Sequence, residues 1–233
     1  ASGRSEGAMN ETILRAEKLK AFYVLDMHGT QKVVKAVNEV DLEIRENEVY
    51  GIAGESGCGK TTLLKALFGA IEPPLRLMGG KVYYCTSGEE IDVTSLSPEE
   101  KRRQRWEYIS YVPQGSMSVL NPVLKLKETY QDFLASHVSG KTKEQALEIA
   151  KKHITELGLP RNILEAYPHQ LSGGMRKRLA LAQTFIIEPK VLLMDEPFSA
   201  LDVQTRALME DELLQIWGST MSSVVFVTHD LEE

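Results

Sequence analysis

Apolar positions along this chain fall into two textures. Up to about residue 95 they alternate with polar residues or cluster in short runs, and from about residue 127 to 187 they recur every three or four positions. Val40, Leu42 and Ile44 alternate with polar neighbours, the half-buried period of two, and predict a strand Val40–Ile44 beside another at Val33–Val37. Ile13–Leu19 predicts a further strand, followed by the aromatic pair Phe22 and Tyr23. Val49–Ala53 reads as a short buried strand, and Thr62–Phe68 as a helix with Gly69 as its stop. Lys81–Cys85 and Glu90–Val93 flank Thr86-Ser87-Gly88-Glu89 as a hairpin.

The second texture opens with Ser97-Pro98-Glu99-Glu100, a helix start with Ser as N-cap, Pro at the first helical position and Glu at the third. The basic run Lys101, Arg102, Arg103 and Arg105 follows on that helix, and a solvated face is its expected role, ahead of a nucleic-acid contact. Ile109–Val112 is a short strand ending in Pro113-Gln114. Thr142-Lys143-Glu144-Gln145 is a second capping box; Leu147, Ala150, Ile154 and Leu157 form one face of its helix, and Gly158 and Pro160 stop it. A third helix is expected from Ser172-Gly173-Gly174 to about Ile187, and another from Val203 to Trp217, stopped by Gly218. Val191–Met194 and Val224–Val227 are apolar without alternation, which predicts a parallel sheet covered on both faces.

Composition adds little to this α/β pattern. With 233 residues the chain suits one substantial domain with subdomains, or two small ones. A formal net charge of −6 argues against a broad nucleic-acid surface. One of the two cysteines, Cys58, lies in a glycine-rich loop, so a structural disulfide with Cys85 is not expected, in keeping with a reducing cytosol. No apolar run approaches the ~18 residues of a membrane-spanning helix. Ala1–Met9 is small and polar and reads as an expression scar, so residues 1–12 are expected to lie outside the fold.

The chemistry begins at Gly54-Glu55-Ser56-Gly57-Cys58-Gly59-Lys60-Thr61, which fits the phosphate-loop pattern G-x-x-x-x-G-K-[ST] with a strand before and a helix after. Glycines let the main chain wrap an anion, and the helix N-terminus favours negative charge. Lys60 would reach the β- and γ-phosphates of ATP, the Thr61 hydroxyl would ligate Mg²⁺, and Thr62 completes the cradle. Val191–Met194 runs into Asp195-Glu196, where such a loop needs a second metal-holding group and a base: Asp195 for Mg²⁺ and Glu196 for the attacking water. An acidic surface pair after a strand is the plain alternative.

Leu171-Ser172-Gly173-Gly174-Met175, about twenty residues before that strand, narrows the class. Ser172 is an N-cap and the two glycines leave a helix N-terminus open to an anion. Together with the phosphate loop and Asp195-Glu196, this segment resembles the signature of the ATP-binding-cassette (ABC) family. The resemblance covers nearly the whole chain from Ile13, with six motifs in order. It implies a RecA-like, mostly parallel core sheet with an antiparallel β subdomain and an inserted helical subdomain. The core and β subdomain would take residues 13–113 and 189–233, and the helical part residues 114–188.

The resemblance also assigns residues. Gln114 is similar to the Q-loop glutamine, a ligand of Mg²⁺ and water; Asp202, in Ser199-Ala200-Leu201-Asp202, to the D-loop aspartate; and His229 to the switch histidine at the γ-phosphate. Tyr23 resembles the aromatic that stacks on adenine, with Phe22 a close rival. The family pattern implies two cassettes, identical or different, holding two ATPs head to tail, so that Lys60, Asp195 and Glu196 of one face Ser172, Gly173, Gly174 and Asp202 of the other. Met175, the run Gly115-Ser116-Met117-Ser118-Val119-Leu120-Asn121-Pro122 and Tyr167-Pro168-His169-Gln170 resemble the ATPase subunits of dipeptide, oligopeptide and oligosaccharide importers. Those work peripherally on the cytoplasmic side of a membrane, on permease subunits fed by an extracellular solute-binding protein. In that subfamily the chain continues well beyond the switch histidine, so a truncated C-terminal part is expected here. The rival readings are a cassette ATPase acting on nucleic acid or ribosomes, a nucleotide-binding module with little turnover, and a small-molecule phosphate-loop kinase, which has no use for Ser172-Gly173-Gly174.

Overall fold

The computed structural model describes residues 11–27, 30–86, 88–114, 120–137, 142–156, 158–172, 175–176, 178–179, 186, 188–199, 206–207, 210–211, 213–214, 217–218 and 222–229. Two sheets organise them. The first is antiparallel and contains β1 (Thr12–Met27), β2 (Thr30–Arg45), β4 (Leu75–Thr86) and β5 (Glu89–Asp92), in the order β2-β1-β4-β5. The second is parallel and contains β3 (Val49–Ala53), β6 (Ile109–Val112), β7 (Val191–Asp195) and β8 (Ser223–Thr228), in the order β3-β8-β7-β6.

The antiparallel sheet corrects three expectations. Residues 11 and 12 belong to the fold rather than outside it, because β1 begins at Thr12 and the Glu11 carbonyl accepts from Glu46 N–H at 2.9 Å. The two strands predicted at Val33–Val37 and Val40–Ile44 are one strand, β2. Its pairing moves from Leu19↔Val40 to Lys20↔Asn38, leaving Glu39 as an extra residue at φ 58°. A bulge interrupts the alternation without ending the strand, so the polar break was a bend rather than a turn. Likewise Phe22 and Tyr23 do not follow the first strand but continue it. A second bulge, at Lys18, brings β1 against Gly80 so closely that a Cβ there would lie 2.3 Å from the Lys18 carbonyl oxygen. Only glycine fits that approach. The expected hairpin is present as β4–β5.

The unbroken apolar run of β7 has a direct reason. Val191 and Leu193 enter one core with Leu64 and Leu67 of α1 (Lys60–Leu67), whereas Leu192 and Met194 enter another with Leu213 and Trp217. Both faces of the strand are covered, so neither can be polar. Helix α1 ends as expected, with Gly69 at φ 71°.

Helix α2 (Pro98–Glu107) has its capping box: Glu100 N–H donates to Ser97 Oγ, and Ser97 N–H to Glu100 Oε2 at 2.8 Å. The solvated basic face holds for Arg102 and Arg103 but not for Arg105. That side chain turns inward, donates to the Gly69 carbonyl at 2.7 Å and lies 5.1 Å from the Phe68 ring centroid. A cation at the end of α1 complements both the helix dipole and a free carbonyl.

The helical region forms a core of its own from α3 (Leu126–His137), α4 (Lys143–Glu156) and two 3-10 turns, Arg161–Glu165 and Pro168–Gln170. The Thr142 capping box is present, with Thr142 N–H donating to Gln145 Oε1 at 3.0 Å and Gln145 N–H to Thr142 Oγ1 at 3.3 Å. Gly158 ends the helix at φ 67°. Of the expected face, Ala150 and Ile154 are fully buried and Leu147 is half buried against the same core, with Ala146 buried beside them. Leu157 lies outside the described residues. The described residues from 175 to 179 and from 206 to 218 are helical, so Gly218 continues the second segment rather than stopping it.

Candidate functional site

Parallel pairing puts the carboxyl ends of four strands on one edge of the sheet, where α/β folds place their ligands. The phosphate-loop residues follow β3, Gln114 follows β6, Glu196 follows β7 and His229 follows β8. Segments separated by up to 175 positions therefore meet, because Ala53 pairs with Thr228, Val227 with Asp195 and Met194 with Val112.

The loop itself is a wrap of exposed residues, Glu55 to Cys58, closing onto buried Lys60. Gly59 caps α1 at φ 103°, and a Cβ there would sit 2.3 Å from the Ala36 carbonyl oxygen. That position tolerates neither the dihedral nor the volume of another residue. Lys60 Nζ donates to the carbonyls of Gly54 at 2.5 Å and Glu55 at 2.9 Å, and its side chain is 6% exposed. Its charge is thus held inside the loop, ready for an anion. Cys58 Sγ lies 4.0 Å from Lys60 Nζ, and both cysteines are free thiols. Thr62 is buried, and its Oγ1 is 3.2 Å from the Tyr23 hydroxyl. Tyr23 is half buried against the core, and its neighbour Phe22 is buried.

Two carboxylates face this loop. Asp195, 2% exposed, accepts from Thr61 Oγ1 at 3.0 Å through Oδ1 and from the Tyr111 hydroxyl at 2.9 Å through Oδ2. Burial, then the charge of Asp195, raises the Tyr111 phenol above its ordinary value, so it stays protonated and donates. Glu196 sits at φ 44°, with its N–H on Val227 O at 2.9 Å and its carbonyl accepting from Ser199 N–H and Oγ. Its carboxylate gathers three partners: Lys60 Nζ at 3.8 Å, Gln114 Nε2 at 3.2 Å and His229 Nδ1 at 3.1 Å. Gln114 Nε2 also reaches Ser199 Oγ at 3.4 Å.

Lys60, Gln114 and His229 are therefore gathered on Glu196, and Thr61 with Tyr111 on the preceding residue, Asp195, two sets of contacts side by side at the end of β7. Ser172 is exposed and caps the segment after it, accepting from Met175 N–H at 3.2 Å, while its neighbour Leu171 enters the separate helical core. Gly173, Gly174 and Asp202 lie outside the described residues. Tyr111, which donates to Asp195 Oδ2, was not among the site residues expected from the sequence. The available signal was its place two residues before Val112-Pro113 ends, on the strand beside the one carrying Asp195; without the pairing, that signal had no target.

The donor set suits a small hard cation. A hydroxyl, a carboxylate and an amide oxygen are hard ligands, and Mg²⁺ typically takes one or two carboxylates together with substrate phosphates. Among the described residues no cluster of three or more His, Cys, Asp or Glu forms a self-sufficient metal cage. No helix among them is long and apolar enough to cross a membrane.

This combination of a parallel sheet, a phosphate loop and paired carboxylates at one edge defines a phosphate-loop nucleotide-binding domain. Residues 37–199 match the ABC transporter family, and the chain belongs to it. It is 36% identical over 220 residues to the dipeptide transport ATP-binding protein DppD of Caldanaerobacter subterraneus subsp. tengcongensis, covering 94% of this chain and 65% of that protein. It is 33% identical over 228 residues to the dipeptide transport ATP-binding protein DppF of Escherichia coli K12, covering 97% of this chain and 65% of that one. The chain thus spans just under two thirds of the length of these relatives. Its fold is similar to the ATP-binding cassette MJ0796 in a dimeric post-hydrolysis state bound to ADP and Pi, with TM-score 0.72, 25% identity, and 94% of this chain and 89% of that chain covered.

Proposed function

We propose that this chain is the ATP-hydrolysing subunit of an ABC importer for dipeptides, oligopeptides or oligosaccharides. The observation that carries the reading is the Glu196 carboxylate, set by a strand end among Lys60, Gln114 and His229. Two relatives named as dipeptide transport ATP-binding proteins support the substrate class.

On this reading ATP binds through the main-chain N–H groups of 54–59, Thr61 and Thr62, with adenine against Tyr23. Lys60 exchanges its contact with Glu196 for the β- and γ-phosphates. Thr61, Asp195 and Gln114 hold Mg²⁺, which when bound neutralises developing charge on the phosphates. Glu196 accepts the proton of the attacking water, Gln114 orients that water, and His229 contacts the γ-phosphate. Ser172, Gly173, Gly174 and Asp202 of a second cassette close the site, so ATP stabilises the dimer and hydrolysis releases it. Residues 13–113 and 189–233 are the nucleotide-binding core with its β subdomain. Residues 114–188, whose apolar core is separate, are the helical subdomain that docks permease subunits at the cytoplasmic face of the membrane.

The test is binding and turnover in one series. A fluorescent ATP analogue should bind the parent with Mg²⁺ and fail to bind Lys60→Ala. ATPase activity per molecule should rise with protein concentration, because each site needs a second copy. Lys60-independent binding would refute the site, and concentration-independent turnover would refute the shared one.

A further inference from the structure

Asp195 is held at both oxygens, and only one of the two holders belongs to the phosphate loop. Thr61 takes Oδ1 and Tyr111 takes Oδ2. Tyr111 reaches it because β6 pairs beside β7 with Tyr111 opposite Leu193, which puts the phenol on the face that Asp195 shares two residues further on. The ring is itself fixed. Its centroid is 5.5 Å from that of Phe68, the residue that ends α1, and Phe68 is covered in turn by the Arg105 guanidinium. The carboxylate is 2% exposed, so no solvent competes for its second oxygen.

We propose that Tyr111 is a positioning residue for the metal carboxylate: by occupying Oδ2 it sets the plane of Asp195 and leaves Oδ1, beside Thr61, as the oxygen offered to the cation. This rests on the reading of Lys60, Thr61 and Asp195 as a Mg²⁺-nucleotide site. A hydrogen-bond partner behind a ligating carboxylate orients it, and its loss typically weakens metal affinity about 10–100-fold. Mg²⁺ demands near-ideal octahedral geometry whereas Ca²⁺ accepts irregular coordination, so a carboxylate free to rotate harms Mg²⁺ more. The hydroxyl's effect is therefore selective between two ions, which a purely structural hydrogen bond would not be.

The experiment measures how far saturating Mg²⁺, and separately Ca²⁺, tightens binding of a fluorescent ATP analogue relative to EDTA. It compares the parent, Tyr111→Phe and Tyr111→Met. Phe keeps the ring against Phe68; Met fills the space without it. Both variants should bind as the parent does in EDTA. The tightening by Mg²⁺ should fall about tenfold in both, and that by Ca²⁺ by no more than about threefold. An unchanged Mg²⁺ effect, an equal loss for both ions, or loss of binding in EDTA by both variants would each overturn the proposal. If the parent binds no better than Lys60→Ala, the underlying site reading fails as well, and that result is distinct from the other three.

Discussion

Glu196→Gln separates charge from shape at the centre of the site. The backbone of residue 196 is held by Val227 O and by Ser199, and none of these bonds involves the side chain. Gln is isosteric, so the variant should keep the geometry and lose one negative charge. That charge faces Lys60 at 3.8 Å, with side chains 14% and 6% exposed. The gross attraction is about 4 kcal/mol at an effective dielectric of ~20. Lys60 keeps the carbonyls of Gly54 and Glu55, so the net loss should be only about 1–2 kcal/mol. For a domain of this size that lowers Tm by roughly 2–8 °C. Mg-ATP should erase the deficit, because the phosphates replace the carboxylate as partner of Lys60 and no longer meet a like charge. Turnover should fall about 10²–10⁴-fold, the usual contribution of a general base, while nucleotide affinity holds or improves. Thermal unfolding with and without Mg-ATP, and ATPase assays where the parent's specific activity has reached its plateau, give all three quantities. Turnover within a few-fold of the parent would show that Glu196 is not the base, and a Tm deficit persisting in Mg-ATP would show that Lys60 does not change partners.

Three further outcomes follow from the packing. Gly59→Ala should cost at least about 2 kcal/mol in chemical denaturation and abolish nucleotide binding, whereas Gly57→Ala, at φ 82° with open space around its Cβ, should cost about 1 kcal/mol and fold. Tyr130→Phe removes a buried hydroxyl that donates to Leu179 O at 2.8 Å and ties α3 to the segment after Ser172; a loss of about 1–2 kcal/mol and faster amide exchange at 175–179 are expected. Burial raises the phenols of Tyr84, Tyr108, Tyr111 and Tyr130, that of Tyr108 to about 12 from 10.0. An acid with a raised folded pKa contributes stability below its unfolded value and loses it as pH climbs toward the folded one. Stability should therefore drop from about pH 10 upward, and in a spectrophotometric titration these four phenols should ionise later than a free tyrosine, the rest of their signal appearing as the protein unfolds.

Local features were readable from residues alone because their causes are local. Ser97 and Thr142 cap their helices through bonds spanning three residues, Gly69 and Gly158 end theirs by a single dihedral, and the phosphate loop depends on its own glycines. The unalternating runs of β7 and β8 carried the parallel sheet for a similar reason, since a strand covered on both faces has no polar side. Features set by a neighbouring strand were not readable. The bulges at Lys18 and Glu39 and the inward turn of Arg105 all depend on what packs opposite. The site divides along the same line. Lys60, Asp195 and Glu196 stood out by motif, and Gln114 and His229 by resemblance, but the chain order holds nothing that puts Tyr111 on Asp195 Oδ2 or fixes the contacts of Gln114 and His229 with Glu196. Strand register made those contacts, and register is a property of the sheet, settled only when distant strands pair side by side.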